Sequence, residues 1–248
     1  TVEYVRGNSV TNSAAPVPEA TQTDETGDEA ATKPESGITH AKVTETVKTI
    51  AHWLPATKRA LSDASQVRTL IDNFLRYGLF EELEDQIVNG DGTGENFSGI
   101  LNTNGVQVQA WDTDLLATTR KAKTKVKNAR GVANAYLLHP NDAERLDLLK
   151  DDQGRYYYGG PAQDGAQPLW RLPVVETEAV GEGVGIVGDF RLAVLWDREQ
   201  AAISVSDSHN DFFIRNLVAI LAELRAAFGI IRPSAFVQFP TTASESSA

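Results

Sequence analysis

The sequence predicts a protein of the α+β class, because helical and strand patterns occur together in one chain. Residues 63–89 give the strongest helical signal, with apolar residues such as Val67, Ile71 and Phe74 at helical spacing. Residues 112–200 alternate short helices with short strands. These patterns predict one long helix and several short strands within a mixed body.

The first part of the chain indicates an extended hairpin. Val2–Val5 alternates as a short strand does, and Ile38–Leu54 is rich in Thr, Val and Ile and predicts a second strand. Between them, residues 8–37 are dominated by small, polar and acidic side chains, which cannot build a core. Two strands that flank such a segment predict a hairpin with a mobile polar loop.

Composition excludes several classes of function. The 248 residues are 41% hydrophobic, which is enough for a sizeable core, and the formal net charge is -11. A surface this acidic argues against gripping nucleic acid or an anionic membrane, although it permits a protein that encloses DNA. The chain has no cysteine and no methionine, so we expect no disulfide and a chain processed or incomplete at its start.

Motifs for enzymatic chemistry are absent from the sequence. The four histidines are scattered, no nucleophile elbow or phosphate-binding loop occurs, and neither a cofactor nor a metal is expected. Asn89–Glu95 resembles a calcium loop, but its twelfth position is Ile100 where such loops need glutamate. The segment is therefore interpreted as a turn that ends the long helix. The lysines at 121–127 are interpreted as a solvated helix face.

Short motifs that run in order along the chain carry a resemblance to a known family. They are Glu3-Tyr-Val-Arg6, Lys33-Pro-Glu-Ser36, Val47-Lys-Thr-Ile-Ala-His-Trp53, Tyr77-Gly78, Asn89-Gly-Asp-Gly-Thr-Gly94, Gly154-Arg-Tyr156, Gly159-Gly-Pro161, Leu172-Pro-Val-Val175, Trp196-Asp-Arg198 and Arg232-Pro233. Together they resemble the Hong Kong 97-type major capsid family of tailed bacteriophages over about residues 1–242. The sequence begins at the Glu-Tyr-Val-Arg strand, before which members of that family have an N-terminal arm.

The resemblance implies a Hong Kong 97-like capsid fold with defined parts. These are an E-loop hairpin arm at 1–52, a peripheral domain at 53–104 and 199–226 with a spine helix at 63–89, an axial domain at 105–198 and 227–242, and a flexible tail at 243–248. The apolar run from Phe212 to Ile231 fits a strand or a helix by its pattern alone. By this likeness, Phe212–Ala226 is a long strand that returns along the spine.

The same resemblance implies a covalent cross-link between subunits. Lys33 matches the lysine, Asn216 the asparagine and Glu223 the catalytic base of a family isopeptide bond, and Val218 and Leu221 are expected to form part of a dry pocket. On a regular strand, residues 216 and 223 face opposite sides, which predicts a site that is built from different subunits after assembly. Without the resemblance, Lys33 is interpreted as a solvated lysine, Asn216 as a capping residue and Glu223 as a partner of Arg225.

The resemblance also implies an ion pair between subunits. Lys42 takes the place of an E-loop lysine, and Glu95 takes, displaced by one position, the place of an acidic residue after the spine helix. An exposed pair is worth only about 0–1 kcal/mol. Two separately solvated charges are the alternative interpretation.

The function implied is that of a major capsid protein of a tailed double-stranded-DNA bacteriophage, not of an enzyme. Expected partners are further copies in hexamers and pentamers, with decoration, scaffold and portal proteins, around DNA that is not specifically recognised and without a membrane. The expected location is the virion, after assembly in the bacterial host cytoplasm. Alternatives are an encapsulin-like compartment, or a soluble α/β enzyme with Tyr156–Tyr158 and Trp170 lining a pocket.

Overall fold

The computed structural model of the chain describes residues 1–17, 33–63, 65–157 and 168–243. In chain order the elements are β1 (Val2–Thr11), β2 (Gly37–Glu45), β3 (Lys48–Thr57), α1 (Lys58–Asp63), α2 (Ser65–Asn89), β4 (Gln107–Val108), α3 (Leu115–Asn128), β5 (Ala135–Leu138), α4 (Pro140–Asp147), β6 (Val174–Glu176), β7 (Val184–Gly188), β8 (Ala193–Ser206), α5 (Phe212–Arg215), β9 (Leu217–Ile230) and β10 (Phe236–Pro240). Outside the described residues lie residues 18–32 of the polar loop predicted at 8–37, Tyr158, the Gly159-Gly-Pro161 motif, and residues 244–248 of the predicted tail.

Residues Glu3–Thr44 form a compact unit of their own, which we call the arm. Its strands β1 and β2 pair only with each other, in a two-stranded sheet. The single strand predicted for Ile38–Leu54 is wrong, because the chain leaves β2 after Glu45 and starts β3 in a different sheet. The arm therefore ends before residue 52, the limit predicted from the sequence.

The rest of the chain contains a three-stranded antiparallel sheet that packs on α2, the long helix predicted at 63–89. The strand order is β3-β9-β8. Leu75 and Leu79 of α2 are buried in one core with Ile220 and Leu224 of β9. Burial of such side chains stabilises the contact by about 1.5–3 kcal/mol each, so this core fixes the helix on one face of the sheet.

Part of the apolar surface of α2 lies outside this core. Leu70 is 70% exposed, and Phe74 and Tyr77 are also largely exposed. The sequence pattern predicted a broader buried face than the chain covers by itself, because helical spacing identifies apolar stripes but not what covers each one. Exposed apolar side chains in a row are typical of surfaces that contact another molecule.

Gly78 inside α2 makes room for a side chain of β3. A β-carbon at this position would lie 2.8 Å from Cε1 of the His52 ring. His52 Nε2 in turn lies 2.8 Å from the Leu75 carbonyl oxygen, within hydrogen-bond distance. The glycine, unfavourable in a helix by about 1 kcal/mol relative to alanine, is explained by this close packing.

A five-stranded mixed sheet forms a second core with α3. The strand order is β4-β10-β7-β5-β6, with β4 parallel to β10 and β5 parallel to β6. Tyr136, Val126 and Phe239 are fully buried there, and the Tyr136 hydroxyl donates to the Thr119 carbonyl oxygen at 3.1 Å. Asp114 caps the start of α3 by accepting from the Ala117 N–H.

The end of α2 is closed by two glycines whose backbones touch. The N–H of Gly99 donates to the carbonyl oxygen of Gly90 at 2.8 Å. A β-carbon at Gly90 would lie 2.6 Å from the Gln86 carbonyl oxygen and closer still to that of Phe97. Since both neighbours are backbone atoms, they cannot move aside without disturbing the helix end.

We therefore predict that Gly90→Ala lowers the free energy of unfolding by roughly 3 kcal/mol, the upper range for overpacking. Gly181→Ala is the matched control, because a β-carbon at Gly181 meets nothing within 4 Å. Chemical denaturation of the unassembled chain measures both. Equal stability of the two variants would contradict the close backbone packing described here.

Candidate functional site

The three-stranded sheet has a second face, opposite α2, whose side chains are exposed or half-buried. We call it the open face. Residues paired across antiparallel strands share a face, so the register defines its members. They are Thr49, Ala51, Trp53 and Pro55 of β3, Ala219, Leu221, Glu223 and Arg225 of β9, and Glu199, Ala202, Ser204 and Ser206 of β8.

Glu223 occupies the middle of the open face, between Ala51 on β3 and Ala202 on β8. Glu223 is half-buried, and both of its cross-strand neighbours have small side chains. Within the described ranges, the Glu223 carboxylate has neither a hydrogen bond nor an ion pair, and Arg225 lies 3.8 Å from Glu199 instead. The carboxylate is therefore available to accept a proton from a group that approaches this face.

Asn216 lies in a turn before β9, and the prediction that Phe212–Ala226 is one strand is wrong over its first five residues. Phe212–Arg215 is the helical turn α5, and Asn216 follows in the left-handed conformation with φ 55°. Asparagine tolerates this conformation better than most residues. Its carbonyl oxygen accepts from the Lys58 N–H at 2.9 Å, and its side chain is exposed.

Asn216 and Glu223 are far apart within one chain. A strand rises about 3.3 Å per residue, so the six steps along β9 from Leu217 to Glu223 span roughly 20 Å, and Asn216 lies one residue before the strand. A site that uses both residues therefore needs two copies of the chain. The reason predicted from the sequence for needing several copies was that residues 216 and 223 face opposite sides of one strand. This reason does not apply, because Asn216 precedes the strand.

The two residues predicted to form a dry pocket lie on opposite faces of the sheet. Val218 is only 7% exposed and packs in the core with α2. Leu221 lies on the open face, two positions before Glu223 and directly across from Trp53. Val218 is thus not beside Glu223. Trp53 was not predicted from the sequence, because its pairing partner lies far along the chain.

Trp53 is held from one side by the segment that leads to Asn216. Its ring centroid lies 5.3 Å from that of His209 and 6.4 Å from that of Phe212. The His209 and Phe212 rings meet edge to face at 5.0 Å. Trp53 nevertheless remains 48% exposed, so a large apolar surface stays uncovered on the open face.

Both lysines of interest belong to the arm. Lys33 is exposed and follows residues 18–32, which the structure does not describe. Lys42 Nζ lies 2.7 Å from a carboxylate oxygen of Glu3, and both side chains are more than half exposed. Such a pair is worth about 0–1 kcal/mol, so Lys42 can exchange Glu3 for another carboxylate at little cost.

Glu95 is exposed in the loop after α2, whose shape depends on Asp91. The Asp91 carboxylate accepts hydrogen bonds from the Thr93 N–H, the Thr93 hydroxyl and the Asn96 amide, and these lower its pKa to about 2. Because this pKa lies below the ordinary 3.8, the contribution to stability is present above pH 3.8 and is lost as pH falls through about 2.

Other charged groups have ordinary structural partners. In the basic run of α3, Lys121 lies 2.6 Å from Asp112, and the ammonium groups of Lys123 and Lys125 donate to backbone carbonyls. Burial lowers the pKa of Lys123, and the nearby Arg120 adds to this effect. Across the described part of the chain, no three side chains group as metal ligands, and no helix is long and apolar enough to span a membrane.

Comparison with known proteins relates nearly the whole chain to bacteriophage shells. The sequence profile of the phage capsid family matches residues 1–239. The major capsid protein of Enterobacteria phage HK97 is 40% identical over 245 residues, which cover 96% of this chain and 60% of that protein. The chain therefore spans about 60% of the length of this relative.

Solved structures with the same fold come from phage capsids and related particles. A Mycobacterium phage Cain chain has a TM-score of 0.74 at 14% identity, with 99% of this chain and 86% of that chain covered. The capsid of a native GTA particle has a TM-score of 0.71 at 16% identity, with 98% and 85% covered. The fold is thus that of capsid subunits, as the α+β prediction and the resemblance expected. The chain belongs to the phage capsid family.

Proposed function

We propose that this chain is a major capsid protein of a tailed double-stranded-DNA bacteriophage. Many copies form hexamers and pentamers that close into an icosahedral shell around the genome, in virions that are assembled in the bacterial host cytoplasm. The observation that carries the proposal is the family match across residues 1–239. This match favours a phage shell over an encapsulin-like compartment and over a soluble enzyme.

The surface of the single chain supports a role in assembly. The arm is a two-stranded unit with exposed Val5 and Ile38, and a sheet of two strands is marginally stable by itself. Phe213 and Ile214, next to Asn216, are 71% and 77% exposed. Contacts between copies would bury these apolar groups. Decoration, scaffold and portal proteins are further expected partners of such a shell.

We further propose that assembled copies are joined by an isopeptide bond between Lys33 and Asn216. The neutral Lys33 amine attacks the Asn216 carboxamide carbon, a new C–N bond forms, and the C–N bond to the amide nitrogen breaks. Glu223 accepts a proton from the attacking nitrogen and returns it to the leaving nitrogen, so ammonia departs. No oxidant, metal or cofactor takes part.

The geometry of the described residues supports this assignment. Among the described residues, Glu223 has no hydrogen-bond or ion-pair partner, and it lies between two alanines, as a general base that must receive a neighbouring lysine should. Asn216 presents an exposed carboxamide on a backbone that is fixed by the Lys58 N–H. Since roughly 20 Å separates the two along β9, the reaction requires several copies and is restricted to the assembled shell.

Boiling assembled particles in detergent tests both proposals in one experiment. Electron microscopy should show closed polyhedral particles of the wild type, and the denaturing gel should show a ladder of covalent multimers. Lys33→Arg, Asn216→Ala and Glu223→Gln should each still form particles but give only the monomer of 26.9 kDa, because each removes the amine, the amide or the base of the reaction.

Lys42→Arg and Glu178→Gln are the matched controls, and both should retain the ladder. Glu178 is exposed and lies outside the open face. Wild-type particles that dissolve completely to monomer would contradict the cross-link while leaving the shell intact as a proposal. A wild-type chain that stays monomeric at every concentration and salt would contradict the shell itself.

We also propose that Lys42 contacts Glu95 of a neighbouring copy. Glu95→Lys should then raise the protein concentration needed for assembly, and Lys42→Glu combined with Glu95→Lys should restore it. The expected coupling is at most about 1 kcal/mol per pair, repeated at every contact. Glu3→Gln removes the Lys42–Glu3 pair inside the arm and serves as the control for that loss. Absence of rescue in the double variant would count against this contact.

A further inference from the structure

Two asparagines of this chain are followed directly by glycine, in the pairs Asn89–Gly90 and Asn104–Gly105. The backbone nitrogen that follows an asparagine is the nucleophile nearest along the chain to the carboxamide of that asparagine. Glycine in the following position gives this nitrogen the greatest freedom to approach, because glycine has no side chain and the fewest backbone restrictions. The structure holds the two pairs in very different ways.

The Asn104–Gly105 pair lies in a turn of the connection from α2 to β4, and both of its residues are exposed. Within the described ranges, neither the Asn104 carboxamide nor the Gly105 N–H takes part in a hydrogen bond. The turn is closed by the Val106 N–H, which donates to the Thr103 carbonyl oxygen at 3.3 Å. No described contact therefore keeps the carboxamide away from the nitrogen of Gly105.

The backbone at Gly105 explains why glycine occupies this turn. Gly105 has φ 97°, in the left-handed region that side chains disfavour. A β-carbon at this position would also lie 3.3 Å from Cβ of Pro233. Without a side chain, the peptide between Asn104 and Gly105 can rotate, and this rotation brings the nitrogen toward the carboxamide carbon.

The Asn89–Gly90 pair is instead held by hydrogen bonds at the end of α2. Asn89 Nδ2 donates to the Asp85 carboxylate at 2.7 Å and to the Ala179 carbonyl oxygen at 2.6 Å. The Gly90 N–H donates to the Gln86 carbonyl oxygen at 3.2 Å. These bonds must break before the nitrogen of Gly90 can reach the carboxamide carbon, so the fold protects this pair.

We propose that Asn104 is a self-modification site, at which the folded chain deamidates without an enzyme. The Gly105 nitrogen, after losing its proton, attacks Cγ of Asn104. A C–N bond forms, the bond from Cγ to Nδ2 breaks, and the amide nitrogen takes up a proton and leaves as ammonia. Water then opens the cyclic imide at either carbonyl and gives aspartate or isoaspartate. Water is the co-reactant, and the inference is independent of the proposed cross-link.

The modification changes a connection that is fixed on both sides. On one side, the buried Thr103 hydroxyl donates to the Gly99 carbonyl oxygen at 2.8 Å. On the other side, Gln107 pairs with β10. Each reaction adds one carboxylate to this connection, and isoaspartate also adds a methylene group to the main chain. The share of modified copies should therefore increase with the age of the protein, each with a longer or more acidic turn.

Peptide mapping by mass spectrometry of the full, unassembled chain measures the reaction, with enzymatic methylation of isoaspartate as a second readout. In the folded chain, in mildly alkaline buffer, Asn104 should react at least about tenfold faster than Asn89, because hydrogen bonds protect Asn89. In denaturant, the two asparagines should react at similar rates, since both then belong to unprotected Asn-Gly pairs. Unfolding thus separates the effect of the fold from that of the motif.

Variants test the assignment to Asn104. Asn104→Gln should abolish the modification at this position, because a glutamine side chain would have to form a larger ring. Asn73→Gln is the matched control, since Asn73 is exposed but lies inside α2 before Phe74, and it should leave the reaction at Asn104 unchanged. A folded chain in which Asn104 reacts no faster than Asn89, or in which neither reacts, would overturn the proposal.

Discussion

The alternation of side chains along β9 is the constraint on which the rest of the structure depends. Val218, Ile220 and Leu224 face α2 and build the core, so Leu221 and Glu223 must face the other way. The core thereby fixes on the open sheet face a carboxylate that has neither a hydrogen bond nor an ion pair among the described residues. A shift of register by one residue would bury Glu223 and expose the core, which makes the position of this group as robust as the fold.

The length of β9 has a second consequence. It places Asn216, the amide of the proposed cross-link, roughly 20 Å from Glu223, the proposed general base, in every copy. A bond that needs both can form only where copies meet, so assembly itself becomes the trigger. A shell under internal pressure depends on resistance to dissociation more than on equilibrium stability. In a chain without cysteine, a lysine–asparagine bond would supply this resistance.

Features that depend on local patterns and ordered motifs could be predicted from the sequence. Features that depend on the pairing of distant strands could not. Helix α2 was predictable from its apolar spacing, and the family from motifs spread over the chain. The turn at Asn216 was not, because Phe212 and Ile214 alternate as in a strand while the left-handed backbone leaves no mark in the pattern. Trp53 was missed because only the register of β3 with β9 brings it to Leu221. Phe74 was placed on the apolar face of α2 by its helical spacing, yet it is largely exposed, because periodicity does not tell which apolar stripe is covered.

A side-chain-resolution electron cryo-microscopy map of assembled particles tests the central claim, that the open face is completed by other copies. The account predicts that the arm of one copy lies over the open face of another, with Trp53 buried and Lys33 beside Glu223. A map in which Trp53 and Glu223 face solvent in every copy of a closed shell would contradict it.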